Sequence, residues 1–302
     1  MSRSGQIVCL GEAIVDLICE RWLEPDERAD AFIAHHGGAP ANVAAIAALN
    51  GAPAFLVGGV GNDRWGRWLA DGLAREGVGL DWLVEVAGVQ SPVAFATFDD
   101  EGEPAFEVYG EDIGPLMEAC MPLLEEALDG AAALAVGTNT MVGQTEREVT
   151  RQAVTVARER SIPVLFDPNH RPGRWNDQGT GAGFARELAG LASLVKANRA
   201  EAELITGIAD PESSAMALLE LGPEVVVVTD GDGPVICRGA SSAASQPEPV
   251  EVVSPLGAGD AFMGSLIAGL DRAGWDLGAT GDLLGEACRE AGQACRLWGA
   301  RP

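Results

Sequence analysis

The sequence is poor in positive charge. Its 302 residues include a single lysine, Lys196, and 20 basic residues in all stand against 45 acidic ones, for a formal net charge of −25. So acidic a chain argues against nucleic acid or an anionic membrane as partner, because both are held through phosphates by Lys and Arg. It fits high solubility and would suit a saline cytoplasm. Any anion bound here has to be held locally, by backbone N–H groups and chelated cations rather than by a broad basic patch. Long apolar runs are also lacking; stretches such as Val225 to Val228 are far too short to cross a bilayer. Acids interrupt the apolar N-terminal stretch before a signal-like region forms, so a cytoplasmic location is expected. The six cysteines, Cys9, Cys19, Cys120, Cys237, Cys288 and Cys295, include no CxxC and are expected as buried thiols rather than as a metal site or disulfide framework. Several nucleotide and hydrolase fingerprints are missing as well. Gly59-Val60-Gly61 lacks the third glycine of a GxGxxG, with Arg64 in its place, and neither GxxxxGK[ST] nor GxSxG occurs.

What is present is an alternation. Nearly half the residues are hydrophobic, enough for a large core. Short β-branched runs ("FLVGG", "ALAVG", "IPVLFDPN", "ASLVKAN", "EVVVVTDG") alternate with helical patterns such as "TEREVTRQAVTVARERS", where Val149, Ala153 and Val156 share a face. Continuous apolar strands between amphipathic helices predict an α/β fold, a mostly parallel sheet covered on both sides. Two segments break the rhythm. Ala13 to Ile18 and Ser91 to Tyr109 read as antiparallel strands, the second folding back at Asp99 to Gly102, and together they predict a small discontinuous β-sheet appendage. No repeat or linker divides the chain, so residues 1–302 are expected to form one domain.

Six stretches carry chemistry. In "SPLGAGDAFMGSLIAGL", Val250 to Val253 read as a strand, and Phe262, Leu266 and Leu270 recur at helical spacing. Gly257-Ala258-Gly259-Asp260 would then open a helix, whose first N–H groups lack internal partners and carry positive character. Asp260 is awkward beside a static phosphate but apt as a base that takes a proton from a nucleophile attacking that phosphate. A simple helix cap explains it equally well on spacing alone. In "GGAPANVAAIAALNG", Gly38 and Asn42 stand at a turn into a helix, competent to meet a polyol or merely to cap. "GEAIVDL" places Asp16 in an apolar strand, where an acid taken alone reads as an edge residue facing water. "KANRAEAELITG" sets Asn198 and Glu201 on one helical face, a donor set suited to a hydrated magnesium ion and equally to a capping box. "FDPNHRP" adds Asp167, Asn169 and Arg171 at a strand's C-terminal end, where open α/β sheets bind ligands. His170 there reads as a loop residue, and His35-His36 has no third ligand at metal spacing. "VVTDGDGPV" puts Thr229 and Gly231 after a buried strand, either against a nucleotide or in a plain hairpin.

In this order, these segments resemble the ribokinase-like, or PfkB, family of carbohydrate kinases over essentially the whole chain. "GGAPANVA" is similar to the family's N-terminal signature, "LGAGDAFMGSL" to its C-terminal one, and "KANRAE" to its metal-associated NxxE segment. The resemblance implies a ribokinase-like fold and ATP-dependent transfer of the γ-phosphoryl group to a sugar hydroxyl. It implies Asp260 as general base, with the Gly257, Ala258 and Gly259 amides as anion hole. Asp16, Gly38 and Asn42 would hold the sugar, with Arg171 on the sugar or a phosphate. Lys196 and Asn169 would lie near the phosphates, and Thr229 and Gly231 along the nucleotide. Asn198 and Glu201 would organise Mg2+, partly through water. The β appendage, from about residues 12–36 and 90–112, would be a lid that excludes water and can pair into a homodimer.

Within the family, "GEAIVDL", "GGAPANVA" and "FDPNHRPGRW" look most like bacterial fructokinases, which implies conversion of D-fructose to fructose 6-phosphate. Kinases of 2-keto-3-deoxygluconate are the nearest rival; their substrate carries a carboxylate that calls for arginine. Gly110, after Tyr109, stands where both groups often have arginine. Ser254-Pro255-Leu256 replaces the family's common Asp-Thr-Thr, which puts a K+ site there in question, and the glycine turn after Thr229 is one residue short. A non-catalytic sugar- or nucleotide-binding regulator is the reading from a different class, and Asp260 with Asn198/Glu201 speaks against it. A Rossmann dehydrogenase comes third.

Overall fold

The computed structural model describes residues 5–301 apart from 101, 103 and 110–112. Its strands are β1 (Ile7–Leu10), β2 (Ile14–Trp22), β3 (Ile33–Gly37), β4 (Ala54–Gly61), β5 (Leu83–Val86), β6 (Val93–Phe98), β7 (Pro104–Tyr109), β8 (Ala133–Val136), β9 (Val164–Phe166), β10 (Leu194–Asn198), β11 (Val225–Thr229), β12 (Val235–Gly239) and β13 (Ala243–Ser245). Nine of them form one sheet in the order β13-β12-β11-β10-β9-β8-β1-β4-β5. It is parallel from β11 to β5, and β12 and β13 extend it antiparallel as a hairpin edge.

The continuous apolar strands are buried on both faces, as their sequences require. Val8, Leu10, Val136, Phe166, Val195 and Val228 point into one core, while their neighbours Ile7, Cys9, Ala135, Leu165, Leu194 and Val227 point into the other. Period-two alternation divides each strand between two helical layers. This is the expected ribokinase-like α/β architecture.

The small sheet has the order β3-β2-β6-β7. Its β6–β7 hairpin is antiparallel as the sequence predicts, but β2 and β6 pair in parallel. Both strands leave the same C-terminal edge of the large sheet, β2 after β1 and β6 after β5, so they run outward together. The β3 strand, with its paired histidines, gave no strand signal; it completes the sheet by pairing antiparallel with β2. Val250 to Val253 is not a strand. Val253 N–H and Ser254 N–H instead donate to the carbonyl of Cys295 (2.8 and 3.2 Å), anchoring the segment to the end of the helix Thr280–Ala294 rather than to a ladder. All six cysteines are free thiols. Among the described residues no helix is long and apolar enough to cross a membrane.

Two helices on one face, Ala39–Leu49 and Ala258–Arg272, pack directly on each other. Gly264 makes the approach possible: a Cβ there would lie 2.7 Å from Ile46 Cβ and 2.9 Å from the Val43 carbonyl. Gly264 sits one turn beyond Asp260 and Ile46 one turn beyond Asn42, so this contact sets how closely those two side chains meet. Gly264→Ala is expected to destabilise the protein by about 1–3 kcal/mol through overpacking. Gly183→Ala, in the helix Gln178–Ala189 with open space around it, is expected to stabilise by about 0.5–1 kcal/mol. Urea unfolding of both variants checks the contrast.

Candidate active site

Asp260 lies in the first turn of the helix Ala258–Arg272 and is buried, with 5% of its surface exposed. Each carboxylate oxygen receives a side-chain amide. Asn42 Nδ2 donates to Oδ2 at 2.8 Å, and Asn169 Nδ2 donates to Oδ1 at 2.7 Å. Burial pushes its pKa up from 3.8 to about 6, while the Asn42 hydrogen bond, Arg171 and Lys196 pull it back down. The result is a carboxylate that is ionised at neutral pH yet more basic than an exposed one. A capping role does not account for the side chain, since both oxygens face amides from distant elements. The helix's N-cap is Gly257, without any side-chain cap bond.

Gly257 adopts φ 76°, and the helix Ala258–Arg272 starts directly after it. The N–H groups of that first turn, with the helix dipole behind them, lie where the sequence leads one to expect an anion cradle. Of the expected set, Ala258 N–H already makes a long bond (3.4 Å) to the Pro255 carbonyl. The Lys196 ammonium lies against this turn, 2.9 Å from where a Gly259 Cβ would be. It is buried and paired with Asp167 at 2.8 Å. Burial works to lower its pKa, but Asp167, Glu201 and Asp260 hold it above the ordinary lysine value, so it stays charged. The chain's lone lysine thus puts its cation at the turn where the sequence leads one to expect an anion.

A cavity of about 870 Å³ opens beside Asp260 and is lined by Asp16, Gly38, Asn42, Arg171 and Gly257 among others. Asp16 does not face bulk water from an edge. It sits on the central strand β2, its Oδ1 is buried without a partner, and burial drives its pKa to about 7 against the pull of Arg171. A Cβ at Gly37 would lie 2.0 Å from Asp16 Oδ2, so a larger residue there would displace that carboxyl. Arg171 lies over the Phe106 ring of the small sheet at 5.5 Å. The small sheet therefore forms one wall and the large domain the other.

Asn169, expected beside phosphates, has its nearest task at Asp260; its own Oδ1 is buried and unpartnered. Asn198 and Glu201 form a complete capping box: Asn198 Oδ1 accepts the Glu201 N–H, and Glu201 Oε2 accepts the Asn198 N–H, both at 2.8 Å. Glu201 Oε1 accepts the His170 N–H at 2.8 Å, tying this helix start to the loop that carries Asn169 and Arg171. Thr229 ends β11 opposite Asn198, and Gly231 follows in the hairpin turn with φ 56°. These residues share the C-terminal edge of the sheet but lie outside the cavity lining. The Gly110 position is outside the described residues.

Two further charged groups at the site, Glu12 and Arg301, are not singled out by the sequence. Glu12 is buried, accepts from Asn139 Nδ2 at 3.2 Å, leaves Oε2 unpartnered, and has its pKa raised by burial. Arg301, from the far end of the chain, donates from Nε to Asn42 Oδ1 at 3.0 Å. Glu12 stands beside Gly11 in "GEAIVDL" and Arg301 two residues after Gly299, but nothing local marks either as buried. His170 is a loop residue as expected, but buried, with Nε2 at 2.9 Å from Gln178 Oε1. His36 stacks on Trp68 at 3.8 Å, and burial lowers its pKa to about 4.

The raised acid at Asp16 has a consequence for stability. The folded state binds its proton more tightly than the unfolded chain does, so its contribution to stability is lost as pH rises through about 7. Asp16→Asn is expected to raise the melting temperature by a few degrees at pH 8 and by less at pH 5, where the native carboxyl is already neutral. Thermal unfolding at the two pH values checks it.

Residues 4–295 match the pfkB family carbohydrate kinases. Fructokinase-1 of Oryza sativa subsp. japonica is 31% identical over 268 residues, covering 88% of this chain and 83% of the rice protein. The 5-dehydro-2-deoxygluconokinase of Shouchella clausii is 26% identical over 277 residues, with 90% and 84% covered. Among solved structures, fructokinase from Vibrio cholerae O395, in a fructose-, ADP- and calcium-bound form, superposes with a TM-score of 0.80 at 25% identity, covering 99% of this chain and 95% of that one. A buried carboxylate beside a helix N-terminus, in a chain matched over nearly its whole length, places this protein in the pfkB family of carbohydrate kinases, the sugar-phosphorylating phosphotransferases.

Proposed function

We propose that the protein is an ATP-dependent fructokinase that converts D-fructose to fructose 6-phosphate. The observation that carries the reading is the Asp260 carboxylate, held by two amides at the mouth of a helix N-terminus and inside the same cavity as Asp16 and Asn42. In this reading Asp260 removes the proton from the attacking sugar hydroxyl as the new O–P bond forms. The bond from the γ-phosphorus to the bridging oxygen breaks, ADP departs, and the proton rests on Asp260. The amides around Gly257 and Gly259, with Lys196, take up the charge of the transferring group. Asp16, Gly38 and Asn42 orient the sugar. Arg171 bridges sugar and phosphate, and Thr229 and Gly231 flank the nucleotide. The small sheet closes over the cavity and limits water attack on ATP.

The residues at the start of the helix Arg199–Thr206 fit a magnesium ion only at one remove. Asn198 Oδ1 and both Glu201 oxygens already accept backbone N–H groups. Each oxygen keeps a second lone pair, so the pair would hold the waters of a hydrated Mg2+ rather than the metal itself. Bound there with ATP, magnesium would neutralise phosphate charge. A K+ site near residues 254–256 has less support, because Ser254 Oγ already accepts the Leu256 N–H at 3.1 Å. Exposed Trp22, Ile33 and Tyr109 on the small sheet are where a lid-mediated homodimer would form.

Fructose is favoured over a sugar acid by charge. Three carboxyl groups, the buried Glu12 and Asp260 and the half-buried Asp16, line the cavity, and each repels an anionic substrate when ionised, against which Arg171 and Arg174 are the counterweight. The Vibrio cholerae fructokinase, whose structure holds fructose and ADP, supports the same choice. A kinase of 2-keto-3-deoxygluconate or a related acid is the second reading, supported by Arg171 in the cavity and by the Shouchella relative.

ADP release from ATP is expected with D-fructose and not with keto acids or nucleosides; release with none of a panel of ketoses, aldoses, keto acids and nucleosides would contradict the kinase reading and favour a binding regulator. Asp260→Asn is expected to lower kcat by about 10²–10⁴-fold while ATP binding, measured by calorimetry, is retained. A variant with undiminished turnover removes Asp260 from the base role.

A further inference from the structure

The last described residues run as a strap across the site. Trp298 packs on Phe98 of the small sheet, ring centroids 5.4 Å apart, within a cluster that includes Ile18, Ala96 and Leu256. Gly299 passes His35 so closely that a Cβ there would lie 2.6 Å from Nδ1. Ala300 lies against the anion cradle, its Cβ 2.2 Å from where a Cβ on Gly257 would be. Arg301 is then directed inward and is 5% exposed, which is unusual for arginine.

Its guanidinium is divided among specific tasks. Nη1 pairs with Glu76, which follows the helix Arg64–Arg75, and Nη2 is buried without a partner. Nε donates to Asn42 Oδ1 at 3.0 Å. Burial lowers the Arg301 pKa to about 10, with Asp16 holding it up, so the group stays charged at neutral pH.

We propose that Arg301 is a positioning residue that locks the Asn42 amide in the orientation that serves Asp260. The two ends of an asparagine amide are nearly the same size, so packing alone does not choose between them. Arginine carries donors only. Facing Arg301, Asn42 has to present its oxygen, and its Nδ2 is thereby turned to Asp260 Oδ2, where it is found at 2.8 Å. Glu76, Arg301, Asn42 and Asp260 form one hydrogen-bonded chain from the protein's flank to the carboxylate. Without Arg301 the amide can rotate, and its oxygen would then oppose a carboxylate oxygen. As a role in catalysis, this rests on Asp260 being the base of the kinase proposed above.

The test is a carboxyl ¹³C NMR titration of Asp260, its resonance assigned with Asp260→Asn, in the wild type, Arg301→Ala, Asn42→Ala and the double variant. Arg301→Ala is expected to move the Asp260 midpoint up by about 0.4–1 pH unit, the equivalent of one net hydrogen bond. Added to Asn42→Ala, it is expected to move the midpoint no further. The other charged groups around Asp260 (Glu12, Asp16, Asp167, Arg171, Lys196) are left in place, so an effect exerted directly through space would persist in the Asn42→Ala background. Arg301→Lys, which keeps a donor, is expected to restore most of the midpoint. Glu76→Gln, which loosens the anchor and leaves the arginine, is expected to give a smaller shift of the same sign. In turnover, Arg301→Ala is expected to lower kcat by about tenfold, with KM for ATP unchanged. An unmoved Asp260 midpoint in Arg301→Ala, or an equal shift with and without Asn42, overturns the proposal. If the wild type phosphorylates no sugar, the kinase reading fails, and the titration still decides whether Arg301 orients Asn42.

Discussion

The site depends on keeping one largely buried carboxylate ionised. Burying an unpaired charge is costly, and the structure offsets that cost with two amide donors, a helix N-terminus and a nearby ammonium rather than with a direct ion pair. An arginine paired to Asp260 would hold its basicity down and block the approach of a hydroxyl. Amides stabilise the charge while leaving lone pairs open, and the desolvation that remains keeps the group a better base. Much of the surrounding fold serves this compromise. Gly264 lets the two helices approach, Gly257 begins the helix that carries Asp260, and Arg301 donates to the Asn42 amide oxygen.

The same balance explains how so acidic a protein handles a polyphosphate. Its net charge of −25 repels anions at long range, but screening at physiological salt confines that field to about 8 Å. At the start of the helix Ala258–Arg272, Lys196 is buried against Gly259. Where Lys196 would otherwise meet low-dielectric surroundings alone, Asp167 keeps it charged. The single lysine and its partner are thus better understood as a local electrostatic device than as part of the surface charge pattern.

Much of this was legible in the sequence. The apolar runs fixed on β4, β8, β9, β10 and β11 announced a parallel sheet, and the glycines before Asp260 and Asn42 marked two helix starts that the fold brings together. What stayed hidden was whatever depends on long-range partners. The parallel pairing of β2 with β6 follows from where each strand leaves the large sheet, which no local pattern encodes. Val250 to Val253 has strand-like residues, but its backbone is taken up by Cys295. Glu12 and Arg301 are ordinary charged residues in sequence and become buried ones only in the fold. For Asn198 and Glu201, spacing left a capping box and a metal site open; the box is present, and metal chemistry there has to work through water.

The central claim is that Asp260 works as a base whose pKa is raised by burial and restrained by its amides. The pH dependence of kcat/KM for sugar phosphorylation tests it most directly. Asp260 at about 6 and Asp16 at about 7 share the cavity, so their titrations merge into one acid limb. The account predicts kcat/KM that falls steeply below neutrality, with its midpoint between those two values, and a plateau on the alkaline side. A profile that stays flat down to pH 5 would contradict it.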